Sequence, residues 1–404
     1  MEYLIPYALE WLNLLFRWLH IITGIAWIGA SFYFVWLDNS IRPPAPGSDL
    51  AQKGVSGELW AVHGGGFYNP QKYLVAPAQL PKELHWFKWE AYSTWLSGFA
   101  LLFIVYYFNA QAMMVDRSVA DLSSLQANAI GLGSLLVGWV VYDLLCRSPL
   151  GKHDLAFGAV IFGFLLASAW VLTHYLSGRA AFIHVGAMIG TMMVGNVLML
   201  IIPGQRKMVD AMMAGRKPDP VHGIKAKQRS VHNNYFTLPV LFIMISNHFA
   251  MTYRHPHAWA ILGTIMLAGV LIRHFFNLRH KGRVEWRYPA AGVALLLALA
   301  VLLAPSPPQA TAAVGDNAAQ FAQVRQIVTQ RCVSCHSDQP TQPGFAAAPS
   351  GVMLHTPEQI AQNAQRIYQQ TVQLKAMPLA NLTNMTDAER AQLAAWYEAG
   401  AKQE

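Results

Sequence analysis

Apolar residues in this chain come in long runs, not in the short alternating clusters of a water-soluble amphipathic helix. Eight runs stand out, at residues 12–37, 91–108, 127–145, 155–175, 181–202, 235–251, 258–276 and 288–303. Crossing ~30 Å of hydrocarbon takes about 20 helical residues, so each run predicts one membrane span. The last is the shortest, but it carries no charge and ends in the stop Ala304-Pro305-Ser306-Pro307-Pro308. Paired small residues (Gly24 and Gly29, Gly131 and Gly133, Gly186 and Gly190) predict close helix approach in lipid. Trp86, Trp89, Trp95, Tyr106 and Tyr107 gather near span ends, where amphipathic rings prefer to sit. The N-terminus has Glu2 and Glu10 and no basic lead segment, so it is not expected to be a cleaved signal. The expected fold is all-α: a polytopic eight-helix transmembrane domain over 1–304, then a linker and a small helical domain.

The linker, 305–316, is rich in Pro, Ala and Gln and predicts an extended connection. In 317–404 the pattern changes. Residues 318–331 read as a helix leading into Cys332. Thr356-Pro357-Glu358-Gln359 opens a second with a capping box and proline at its first position. Thr386-Asp387-Ala388-Glu389 opens a third, which runs through Ala394, Trp396 and Tyr397 and stops at Gly400. Three short helices make a thin core, so something has to fill its middle.

Composition narrows the classes. Of 404 residues, 54 % are apolar and only 12 % charged, against roughly 25 % charged in soluble domains. With a mean hydropathy of +0.28, too little polar surface remains to cover one large soluble core. Three cysteines cannot staple a disulfide scaffold of this length. The net charge of +8 is uneven, being +9 over 1–315 and −1 over 316–404. It therefore reads as membrane topology and not as nucleic-acid binding. Eight spans put both termini on one side. The four loops on the other side hold 19 Lys and Arg, while Arg117, Arg179 and Arg254 are the only three on the terminal side. The basic loops are thus expected in the cytoplasm and the C-terminal domain outside it.

Cys332-Val333-Ser334-Cys335-His336 is the attachment pattern of a c-type haem. One helical turn presents two thiols to the two vinyl groups of a porphyrin, and the next imidazole faces the iron. A zinc site would need two more soft ligands nearby, and the third cysteine, Cys146, lies in the membrane part. Met353, His355, Met377 and Met385 are candidates for the sixth ligand. Met377 is favoured, because Lys375-Ala376-Met377-Pro378 is a loop in which no helix draws the sulfur away. Met/His ligation suits an electron acceptor, and the fold would be a class I-like cytochrome c domain over 317–404. Such domains mature outside the bacterial inner membrane, which agrees with the loop charges.

Ionisable groups inside spans are functional candidates. His20, His174, His184 and His248 come from four spans at similar expected depth on the terminal side, and His20 and His248 are the candidate ligands of a haem b or another metal there. Arg17 lies one turn before His20 and needs an anion or the interface. On the basic side, Ser230-Val231-His232-Asn233-Asn234-Tyr235 concentrates donors and acceptors. His63-Gly64-Gly65-Gly66-Phe67-Tyr68 offers a flexible turn with aromatics for a flat ring. Together with the basic surface these suit a small planar anion.

The stretch from Arg17-Trp18-Leu19-His20 to Gly29-Ala30-Ser31-Phe32-Tyr33-Phe34 carries a family likeness, as do the His63–Tyr68 loop, Leu84-His85-Trp86-Phe87-Lys88-Trp89-Glu90, His232-Asn233-Asn234-Tyr235 and Ile245-Ser246-Asn247-His248. The chain resembles the bacterial membrane-bound urate oxidases (urate hydroxylases) that end in a cytochrome c domain. The resemblance implies oxidation of urate to 5-hydroxyisourate in the inner membrane. Electrons would leave through the fused haem c to a respiratory acceptor, with the cytochrome c domain periplasmic. His63, His232, Asn233 and Asn234 are the expected catalytic residues, with His232 or His63 as the base. The alternatives are a quinol- or porphyrin-linked oxidoreductase using the same haem relay, and a membrane-anchored electron carrier.

Overall fold

A backbone that enters hydrocarbon has to satisfy its own amides, which is why the apolar runs form helices. The structure, a computed structural model, describes residues 4–304, 317–343, 345 and 347–403. The linker expected over 305–316 lies outside the described residues. The first part is built on α1 (Leu4–Ser40), α2 (Trp89–Leu101), α3 (Ser124–Arg147), α4 (Asp154–Tyr175), α5 (Gly178–Gly195), α6 (Pro220–Ser246), α7 (Ala258–His280) and α8 (Arg287–Leu302). Helix α5 continues through a π turn at Asn196–Ile201 into Ile202–Met213.

Among the described residues five helices are long and apolar enough to cross a membrane: Tyr7–Ser40, Ser124–Arg147, Asp154–Tyr175, Gly178–Met213 and Ala258–His280. The other three expected spans take different forms. The run at 91–108 is α2 prolonged by a π turn at Leu102–Tyr107. The run at 288–303 is the 16-residue α8. The run at 235–251 is only the second half of α6, whose first half is polar and starts at the cap Asp219. That helix stops at Ser246, and the chain turns before a short helix at Ala250–Tyr253.

Helix α5 is the centre of the bundle. Its Phe182, Val185, Met188, Ile189 and Met192 are buried among Leu135 and Tyr142 of α3, Ile161 and Leu165 of α4, Ile243 of α6 and Leu262 and Met266 of α7. The most apolar stretch of α1, by contrast, is unburied, with Trp18 and Ile25 exposed, as a lipid-facing helix would be. One glycine of each of two predicted pairs makes a close contact: Gly131 lies against the His184 ring and Gly186 against Ile243, while Gly133 and Gly190 face open space. Gly138 and Gly195 are further close approaches, to Met188 and to the Trp139 ring.

Between α1 and α2 two antiparallel pairs, Val55–Glu58 with Gln71–Tyr73 and Ala61–His63 with Gly66–Tyr68, form a nested hairpin. Gly64 and Gly65 take φ of 56° and 81°, the two left-handed positions of a two-residue hairpin turn. The glycine triplet is thus explained by the turn itself.

The C-terminal part is built on α9 (Asn317–Arg331), α10 (Pro357–Gln362) and α11 (Asp387–Glu398). Thr356–Gln359 and Thr386–Glu389 both form full capping boxes. Its core is Phe321, Val324, Val328, Cys332, Leu354, Ile360, Ile367, Met385, Leu393 and Trp396. Cys332 therefore sits at the apolar centre of the domain.

Overpacking a core costs about 1–3 kcal/mol. A Cβ at Gly138 would overlap Met188. Gly138→Val should lower the melting temperature of the detergent-solubilised protein by several degrees, whereas Gly190→Ala should leave it unchanged.

Candidate functional site

At the end of the bundle that carries the basic loops, polar side chains from four helices meet inside the apolar packing. Arg229, His232 and Asn233 share one face of α6, being three and four residues apart. Arg229 is 3 % exposed, and its Nη2 lies 2.7 Å from Asp143 Oδ1 on α3. Its Nη1 donates to Asn196 Oδ1 at 3.1 Å, at the π turn that ends α5. Asn196 donates in turn to Asn233 Oδ1 and to the Tyr142 hydroxyl, both at 2.8 Å. Asn233 donates to the Met193 carbonyl. With its oxygen already accepting from Asn196, Tyr142 gives its proton to Nδ1 of His232, 2.9 Å away, which places the imidazole proton on Nε2. The His232 ring stacks on Phe157 at 4.6 Å. Every member of this network has a partner.

The opposite face of α6 is different. Asn234 accepts from Arg273 Nε at 2.5 Å and donates to Asn277 Oδ1 at 3.0 Å. Arg273 is 5 % exposed, lies over the Phe32 ring of α1 at 3.9 Å, and has no carboxylate partner among the described residues. Its Nη2 and Nδ1 of His280 are buried without a hydrogen bond. Tyr235 bonds Nδ1 of His274 nearby. At the same end of the molecule a cleft of about 410 Å³ opens between Phe34, Leu37 and Ile41 of α1 and Tyr73 and Pro77, with Asp38, Lys72 and Gln71 on its polar edge. Lys72 and Lys227 both pair with Asp38 there.

Of the expected catalytic residues, the structure brings His232, Asn233 and Asn234 together along α6. His63 is not with them. It lies exposed on the hairpin beside Gly64 and shares no hydrogen bond with that group. Tyr142, Asp143, Asn196, Arg229, Arg273 and Asn277 escaped the sequence reading. Arg229 and Arg273 were counted there as loop charges, although their three- and four-residue spacing to His232, Asn233 and Asn277 was a signal that they share helix faces with them.

The four span histidines do not converge. Nδ1 of His20 lies 2.9 Å from the Thr94 carbonyl and 3.1 Å from Ser97 Oγ, with the ring against Gly98. His184 is fully buried, held by the Ala180 carbonyl at 2.7 Å and the Tyr107 hydroxyl at 3.1 Å. His174 is exposed and bonds the Trp170 carbonyl. His248 is exposed beside Asn247, which donates to the Tyr106 hydroxyl. Tyr106 lies nine residues beyond Ser97, or about 13 Å at a helical rise of ~1.5 Å. His20 and the turn of His248 thus contact this helix at different levels. Among the described residues no three His, Cys, Asp or Glu side chains form a metal cluster. Taken singly, His20 is oriented as metal-bound imidazoles are, with Nδ1 tied to a carbonyl and Nε2 left for a ligand.

In the C-terminal part, the turn after α9 sets Cys332, Cys335 and His336 together, with His336 N–H bonded to the Cys332 carbonyl. His336 Nδ1 donates to the Val352 carbonyl at 2.8 Å, leaving Nε2 as the ring nitrogen free to accept. Burial, followed by the neighbouring Cys335, pushes the Cys332 thiol up to about 12. These residues fit a covalent haem. Met353 and His355 are exposed and Met385 belongs to the core, whereas Met377 is half-buried in its loop. Arg390 donates to the Met377 and Thr371 carbonyls.

The same loop touches the bundle at the end away from the basic loops. Arg254 pairs with Asp116 at 3.0 Å and donates to the Ala376 carbonyl at 3.1 Å. Its desolvation at this junction lowers its pKa from the ordinary arginine value, while Asp116 opposes the shift.

No curated protein and no solved structure matches the chain. The family described as urate oxidase N-terminal matches residues 6–304, which is the whole helical bundle with both of its polar faces. The chain therefore belongs to the urate oxidase N-terminal family, and its bundle is that of a urate oxidase-related oxidoreductase.

Proposed function

We propose that the protein is a membrane-bound oxidoreductase that converts urate and water into 5-hydroxyisourate, two protons and two electrons, and that a haem c on its own C-terminal domain accepts those electrons. The observation that carries this reading is the contact at the junction: a bundle of the urate oxidase family holds, through Arg254, the loop of Met377 in a domain with a Cys-x-x-Cys-His turn. Cys332 and Cys335 would hold the haem by thioethers and His336 and Met377 would bind its iron, and bound there it would supply a one-electron acceptor. His336 is kept in its ligating orientation by Val352, and the Met377 loop is held from both sides by Arg390 and Arg254. Urate would enter from the basic end, the cytoplasmic side on the loop charges, and the C-terminal domain would lie in the periplasm of a bacterial inner membrane.

The two ends are far apart. From Gly178 to Asn196, α5 rises about 27 Å. Trp95, beside the His20 contacts, bonds Thr191 Oγ1 at 3.1 Å. That level is five residues from Asn196, about 8 Å, so His20 lies between the two ends. Its Nε2 would hold a haem b, which supplies an intermediate one-electron centre.

Under argon, urate added to the purified, oxidised protein should reduce about two equivalents of haem per urate, followed by visible absorption. Peroxide formed in step with urate loss would defeat the reading. A pyridine haemochrome spectrum should show both b and c haems, and His20→Ala should remove the b component alone. Truncating one partner of a buried charge pair costs about 2–5 kcal/mol. Arg254→Gln should therefore slow urate-driven reduction of haem c at least tenfold in stopped flow, with c-haem content unchanged.

A further inference from the structure

Two guanidiniums are buried in the bundle, and they are treated differently. Arg229 has Asp143 and Asn196, and its charge is compensated inside the fold. Arg273 has a neutral amide on Nε, an aromatic face beneath it, and nothing on Nη2. An uncompensated buried charge is costly, so a fold that keeps one has a use for it. On the same face of α7, seven residues on, Nδ1 of His280 is a second buried polar atom without a partner. The neighbours that cover this face, Phe32 of α1 and His280 itself, are only half-buried.

We infer that Arg273 and His280 form the receptor for the anionic substrate, between α1, α6 and α7. The inference rests on the urate reading above and names the site at which that substrate binds. Urate is a planar anion with carbonyl oxygens along its edges and ring nitrogens between them. The free Nη2 of Arg273 meets an oxygen, and Nδ1 of His280 meets a ring nitrogen. A guanidinium suits this better than an ammonium, because its planar fork keeps Nε on Asn234 while Nη2 serves the ligand. Asn277 holds Asn234, and Asn234 holds Arg273. Both asparagines are thus positioning residues. The satisfied network around Arg229 and His232 lies on the other side of α6 and acts as its rigid backing.

The test uses the full-length, haem-loaded protein kept reduced with dithionite, so that bound urate is not consumed, and measures urate affinity by titration calorimetry. Arg273→Gln should weaken binding about a hundredfold. Arg273→Lys, which keeps the charge and loses the fork, should weaken it about tenfold. Arg273→Met should raise the melting temperature without urate, because it removes an uncompensated charge, and should abolish the further rise that urate gives the wild type. Urate affinity within threefold of wild type in Arg273→Gln and Arg273→Lys, or a lower melting temperature in Arg273→Met with the urate-induced rise intact, overturns the assignment and leaves the urate reading standing. No urate binding by the wild type overturns the urate reading itself.

Discussion

A charge held among apolar helices must find its counter-charge within the fold or take it from a ligand. Arg229 meets the first condition. Its contacts with Asp143 and Asn196, passed on to Tyr142, Asn233 and His232, tie α3, α5 and α6 together at one end of the bundle. In a low-dielectric interior such a network is stable only when each donor and acceptor is used. Few rearrangements satisfy all of these groups at once, so the network holds the three helices in one register. Arg273 is left outside this closed set, and it is the exception that gives the basic end its chemical character.

The opposite end is organised by a second buried pair. Asp116 and Arg254 sit where short helices cross between spans, and Arg254 uses its remaining reach to bond the C-terminal domain at Ala376. Side-chain hydroxyls and ring nitrogens here serve packing: His184 is saturated by Ala180 and Tyr107, and Ser177 bonds the Met113 carbonyl. The basic end thus keeps a buried guanidinium with no carboxylate partner, and the other end uses its arginine to hold a neighbour. The oxidation proposed at the first and the export of electrons proposed at the second would be separated by about 27 Å of apolar helix.

The C-terminal domain is small, and its core is threaded through the Cys-x-x-Cys-His turn. Cys332 lies among Val328, Leu354 and Trp396, so the residues that would bind the haem also complete the packing. Two arginines from different parts of the chain, Arg254 and Arg390, hold adjacent carbonyls of the Met377 loop. The loop geometry is therefore shared between the domain and the bundle beneath it.

Taken alone, the amino-acid sequence determined the helical class, five of the spans, the caps at Thr356 and Thr386, and the adjacency of Cys332, Cys335 and His336. All of these are local: hydropathy over 20 residues, a capping box over four, a Cys-x-x-Cys-His run over five. Which polar residues converge was decided by tertiary structure. Periodicity says that Asn233 and Asn234 point to different sides of α6, but it cannot say that Arg229 and Asp143 await one and Arg273 the other. It also could not set the depths of His20 and His248, because these depend on how α2 and α6 slide against their neighbours. Such choices are made by packing between residues tens to hundreds of positions apart, and the order of residues along one helix holds no record of them.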